Sequence, residues 1–156
     1  MEFEDSHRVH ADYVHNLDVA PLQSGGVDVR YAFDRWSDGG ARAHSFTVGT
    51  TSPVTFTAFF ARQYRSTVAL SLVPGGLAEG AGSVLLAYMD VGKAAYLAAY
   101  LGDQPGVWSD SGSVLTVPGV TSGSGEAQRW WRDAAGSALS VTVTAPNGPE
   151  VWVVNS

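Results

Sequence analysis

An all-β chain built from two small antiparallel modules is what this sequence predicts, on three observations. The first is internal repetition. Trp36-Ser37-Asp38 through Ser45-Phe46-Thr47-Val48 reappears without a gap as Trp131-Arg132-Asp133 through Ser140-Val141-Thr142-Val143. Upstream, Val19-Ala20-Pro21 with Ser24-Gly25-Gly26 has a counterpart in Thr116-Val117-Pro118 with Thr121-Ser122-Gly123, and two copies of a short unit explain both matches. The second is composition: 15% charged residues, 18 glycines and recurring Ser, Thr and Val describe many short strands joined by tight turns. The third is period-two alternation, clearest at Val29, Tyr31 and Phe33, which places apolar side chains on one face of a strand.

Taken in order, Ser6 to Val19 carries apolar marks at Val9, Tyr13, Val14, Leu17 and Val19 and reads as one or two short strands. Pro21 to Val27, with Gly25-Gly26, reads as a turn, and Val29 to Trp36 as a strand. Asp38-Gly39-Gly40 is a turn signal; Ala43 to Val48 and Val54 to Phe60 follow as strands, the latter rich in β-branched and aromatic residues. These three strands describe a small meander. Arg65 to Val73 opens a second unit and ends at Pro74-Gly75-Gly76, with Ser83 to Met89 as its partner. Lys93 to Leu101 stays open between two readings: Tyr96 and Tyr100 beside Leu97 and Leu101 make a helical stripe closed by Gly102, and the same residues suit a buried strand. Beyond Asp103 to Gly106 come Val107 to Ser113, then strands near Val114 to Val117, Ala127 to Arg132, Ser137 to Val143 and Glu150 to Val154, with Asn147-Gly148-Pro149 as the last turn.

Composition also excludes. A net charge of −6 repels phosphate backbones, and the basic pairs Arg62 with Arg65 and Arg129 with Arg132 make no stripe, so no nucleic-acid partner is expected. The most apolar run, Val84 to Leu101, is broken by Asp90 and Lys93, so no membrane insertion is expected. Cysteine is absent, which removes disulfides and thiolate metal sites. The acidic start Met1-Glu2-Phe3-Glu4-Asp5 lacks the basic and apolar regions of a signal peptide.

No catalytic constellation assembles, since no Gly-x-Ser-x-Gly elbow, His-Glu-x-x-His pair or phosphate-binding glycine loop is present. Asp38 and Asp133 occupy paired positions and read as acceptors for backbone N–H groups in the turn after each tryptophan. His7, His10 and His15 raise a metal site, yet on a strand His7 and His10 point to opposite faces. Asp103 and Asp110 raise a Ca²⁺ loop, yet such an ion takes about six or more oxygens. No metal and no cofactor are therefore expected. Trp36 and Trp131, at equivalent repeat positions, are expected to pack inward. Trp130, its side chain opposite in direction to that of Trp131, and Trp108 are the candidate ligand-binding residues, because exposed ring faces stack on sugars.

The segments Tyr31-Ala32-Phe33-Asp34-Arg35-Trp36-Ser37-Asp38-Gly39-Gly40 with His44-Ser45-Phe46-Thr47-Val48, Phe56-Thr57-Ala58-Phe59-Phe60, and Val107-Trp108-Ser109-Asp110-Ser111-Gly112-Ser113-Val114 resemble bacterial repeat domains related to internalin B-repeats, the divergent B-repeats. The resemblance covers residues 18–65 and 105–154. It implies two β-grasp-like or immunoglobulin-like modules: residues 1–64, lacking an opening strand, and residues 65–156, carrying an insertion at about 88–102. It departs at Asp133-Ala134-Ala135, where the paired glycine is missing. It further implies no enzymatic activity, an extracellular or cell-surface location, and a structural or protein-contact role. An edge strand near residues 6–20 would serve a protein partner or self-association. The alternative is a carbohydrate-binding accessory module that meets polysaccharide through Trp130 and Trp108.

Overall fold

The computed structural model describes residues 2–4, 13–49, 53–72, 84–100, 104–117, 130–132, 140–146 and 150–155. Every regular element among them is a strand, so the fold is all-β. In chain order these are β1 (Glu2–Glu4), β2 (Val14–Leu17), β3 (Leu22–Gly26), β4 (Val29–Trp36), β5 (His44–Thr47), β6 (Thr57–Thr67) and β7 (Ala69–Leu72). They continue with β8 (Val84–Asp90), β9 (Lys93–Ala99), β10 (Gly106–Asp110), β11 (Val114–Thr116), β12 (Trp130–Arg132), β13 (Ser140–Thr142) and β14 (Glu150–Asn155). The chain divides into two compact units, Met1–Arg62 and Gln63–Ser156. Strand β6 crosses that division, giving residues 57–62 to the first unit and 63–67 to the second.

In the first unit β4 lies between β3 and β6, and β1 pairs with β6 on its other side. Strands β2 and β5 form a separate antiparallel ribbon, with His15 opposite Phe46 and Leu17 opposite His44. The three-strand meander expected of residues 29–60 is overturned: β4 pairs with β6, while β5, which lies between them in sequence, leaves to pair with β2. A reciprocal pair of bonds fixes the first choice, since Ser37 N–H donates to the Thr57 carbonyl at 2.9 Å and Thr57 N–H donates to Ser37 Oγ at 3.0 Å. The segment read as a turn at Pro21 to Val27 is largely strand β3. Its register shifts between Ser24 and Gly26, and the turn itself falls at Val27-Asp28, with φ 119° at Gly26 and 54° at Asp28. Gly25 has a steric reason, because a Cβ there would meet Tyr31 and Val29 carbons at 2.8 Å. The core consists of Trp36, Ala58 and Phe60, with Leu17, Val19, Tyr31, Phe33 and Phe56 packed against it.

In the second unit one sheet runs β13-β11-β8-β9, another β12-β14-β7, and β10 pairs with residues 63–67 of β6. All described pairings are antiparallel except that of β7 with β14, which is parallel, Ala69 opposite Glu150 and Leu72 opposite Val153. Its core is aliphatic: Val68, Leu86, Ala99, Leu115 and Val143 have no exposed surface, and Val107 and Val117 have 2%.

The helical alternative for residues 93–101 is overturned. Lys93–Ala99 is a strand, paired with β8 through a two-residue loop in which Val91 has φ 46° and Gly92 φ 70°. Both loop residues are left-handed, the geometry whose twist matches a tight hairpin. Burial follows period two, with Ala95, Leu97 and Ala99 turned inward and Ala94, Tyr96 and Ala98 outward. Tyr96 is 63% and Tyr100 57% exposed. The tyrosines four apart thus make no buried helical stripe; Leu101 and Gly102 lie outside the described residues.

Candidate functional site

Two Trp-Ser-Asp segments organise the polar chemistry. In the first unit β4 ends at Trp36, whose indole N–H donates to the Arg42 carbonyl at 2.9 Å. Asp38 then sits in the turn. Its Oδ1 accepts the Gly40 N–H at 3.0 Å, and its Oδ2 lies 2.9 Å from His44 Nε2. The Gly40 bond does most to hold the Asp38 carboxyl below its ordinary 3.8; burial opposes it, and the hydrogen bond and charge of His44 add smaller pulls downward. His44 Nδ1 is 2.7 Å from the Ala41 carbonyl, and its ring covers Gly40, where a Cβ would come within 2.8 Å of it. The glycine pair is thereby explained: Gly39 takes φ 75°, and Gly40 makes room for the imidazole. Asp38 fills the turn-acceptor role read from the sequence. Its repeat partner Asp133 lies outside the described residues.

In the second unit β10 continues through Trp108, Ser109 and Asp110. Asp110 reaches to another hairpin: Oδ1 accepts the Val91 N–H at 3.0 Å and Oδ2 the Gly92 N–H at 2.7 Å. Gln63, with no exposed surface, donates from Nε2 to Asp110 Oδ1 at 2.9 Å and to Asp90 Oδ1 at 2.7 Å. A β-branched residue at positive φ is costly, and this carboxylate holds Val91 in place by bonding its amide. The role of Gln63 was not visible in the sequence; a polar residue within an otherwise β-favouring run was the only trace. Asp103, the proposed Ca²⁺ partner of Asp110, lies outside the described residues, and no cluster of three metal-ligating side chains occurs among those described.

Trp108 pairs with Arg65 across β10 and β6. On that pair Val107, Ser109, Tyr64 and Ser66 are buried; Trp108 and Arg65 lie on the opposite face together with the fully buried Gln63, and there Arg65 is exposed and Trp108 half-buried. The Arg65 guanidinium lies over Gly106, where a Cβ would meet its Nε at 2.2 Å. Trp130 opens β12, opposite Asn155 of β14; the direction of its side chain lies outside what is described. Trp130 and Trp108 therefore stand on strands of different sheets. Of the histidines, His7 and His10 lie outside the described residues, while His15 faces Phe46, ring centroids 5.6 Å apart.

Two further surfaces have the form of binding sites. In the first unit a half-open cleft of about 450 Å³ is lined by Leu17, Trp36, Phe46, Val48, Phe56 and Phe60, with His15, Asn16, Asp18 and Gln23 supplying polar atoms. In the second, the register of β13-β11-β8-β9 puts Thr142, Val114, Leu85, Met89, Ala94, Tyr96 and Ala98 on one face. None is charged, and Leu85, Tyr96 and Val114 are 47%, 63% and 45% exposed. Among the described residues β9 is an edge, paired only with β8. No helix among the described residues is long and apolar enough to cross a membrane. In comparisons with known proteins, no family model, curated protein or solved structure matches this chain.

Proposed function

We propose that this chain is a non-enzymatic contact module, a divergent B-repeat type unit of a bacterial surface or secreted protein, which joins a protein partner or a second copy of itself by strand addition. The carrying observation is the edge strand β9, seven residues long, with Lys93 as its one charge and no proline. Native edges are usually blunted by charge, proline or bulges, and an unblunted one is a template for another strand. In a two-residue hairpin the closing pair, here Asp90 with Lys93, is hydrogen bonded, so Ala94, Tyr96 and Ala98 aim their backbone groups away from β8. The carboxylates Asp38 and Asp110 are occupied in fixing turns, which supports a non-catalytic reading.

The test is amide hydrogen exchange across a concentration series, with sedimentation alongside. Protection of residues 93–99 should rise with association, and Ala98→Pro, which removes an outward donor and no β8 bond, should abolish the rise without unfolding the chain. A monomer at every concentration, with no partner-dependent protection of β9, would sink the reading. A second reading, carbohydrate binding, is favoured by the half-buried Trp108, which stands opposite the exposed Arg65. Loss of polysaccharide binding in Trp108→Ala, at unchanged melting temperature, would put it first.

A further inference from the structure

We infer that the cleft of the first unit is a binding site for an uncharged, ring-bearing, mainly apolar small molecule with one hydrogen-bonding end. This stands on observations independent of the β9 edge. Protein interiors rarely leave voids much larger than a water molecule, whereas this cleft holds about 450 Å³, within the range of ligand pockets. Its walls are aromatic. Trp36 and Phe60, both buried, line it, as do Phe46 and Phe56, whose ring centroids stand 4.5 Å apart in a tilted pair. Offset and edge-on ring contacts are the geometry that such walls favour, which selects a flat or cyclic ligand over a flexible chain.

Charge selects further. Asp18 is the carboxylate in the lining, and it is already committed: it pairs with Arg42 and accepts the Val19 N–H at 2.7 Å. A cationic ligand would compete with that guanidinium, and an anionic one would approach an acidic side chain. Of the remaining polar lining, Gln23 both donates and accepts, and Asn16, whose Oδ1 accepts the Ser45 hydroxyl at 2.8 Å, carries amide N–H groups suited to a hydroxyl or a carbonyl. The positions come from strands far apart in sequence, β2, β5 and β6, so their convergence is a property of the fold.

The test titrates the full chain with N-phenyl-1-naphthylamine, a neutral aromatic amine whose fluorescence rises in apolar surroundings. Saturable binding of one probe per chain is expected, with the methyl NMR signals of Val48 and Val54 in the unsubstituted protein shifting along the same curve. Val54→Phe, which adds bulk at an exposed lining position, should weaken binding by about tenfold or more. The anionic relative 1-anilinonaphthalene-8-sulfonate should bind more weakly than the neutral probe. No saturation up to about 1 mM overturns the inference, as does binding that leaves both valine methyls unmoved. Equal affinity for the two probes overturns its charge selection.

Discussion

Trp36-Ser37-Asp38 and Trp108-Ser109-Asp110 are the same tripeptide, and the fold uses every position of it differently. Trp36 is 6% exposed with its indole N–H bound, whereas Trp108 is half-buried opposite the exposed Arg65. Ser37 clamps β4 to β6 through both its N–H and its hydroxyl, whereas the Ser109 hydroxyl is buried with no hydrogen-bond partner. Asp38 serves its own turn and Asp110 serves a hairpin loop 18 residues away in sequence from Gly92 to Asp110. The cause is where each strand stops. Strand β4 ends at the tryptophan, so the next two residues belong to a turn; β10 ends at the aspartate, so all three alternate across a sheet. A motif's chemistry here is set by strand length, which the tripeptide itself does not encode.

The widest separation between the two segments should come from their rings. Trp36→Ala removes a buried ring and should cost about 3–5 kcal/mol of unfolding free energy, more than Trp108→Ala, which removes a half-buried one, both read from urea midpoints. Equal losses would erase the distinction between the buried and the half-buried ring. A smaller effect belongs to the carboxylates. Asp110→Ala leaves two loop amides and the Gln63 amide without their acceptor and should cost about 1–3 kcal/mol. Adding Val91→Gly in that background should recover about 1 kcal/mol by removing a side chain from the left-handed region. No recovery would mean that the carboxylate does not act by holding that loop.

The smallest effect is the dependence of Asp38 on pH. Its folded pKa lies below 3.8, so its contribution is fully present above that value and is lost as pH falls through the lower, folded one. The stability gap between the parent and Asp38→Asn should therefore stay level from neutral pH down to about 4 and close below it. A gap that is flat down to the acid transition would show that the Gly40 and His44 bonds contribute nothing.

The all-β class was legible because alternation and turn residues are local signals, and the Asp38-Gly39-Gly40 turn was legible for the same reason. Lys93 to Ala99 was ambiguous because alanine and tyrosine four apart satisfy a helix as well as a strand. The residues that decide it, Val91 and Gly92, lack the Asn-Gly or Asp-Gly form that normally announces a tight hairpin. Valine is tolerated there because Asp110 holds the loop from β10, a contact no local window contains. The cleft was invisible for a similar reason. Its apolar residues are those any core would use, and only the departure of β5 to pair with β2 leaves space among them. Trp108 was found as a candidate by residue type, but its pairing with Arg65 required the register against β6.

The parallel pairing of β7 with β14 bears on how the chain is made. A strand at Ala69–Leu72 must wait for Glu150–Val153, about 80 residues later, before its partner exists. At about 5–20 residues per second of synthesis the interval is about 4–16 s. Throughout it Ala69-Leu70-Ser71-Leu72 has backbone groups to satisfy and no β14 to satisfy them. Nascent chains crowded on one message would meet through that segment first.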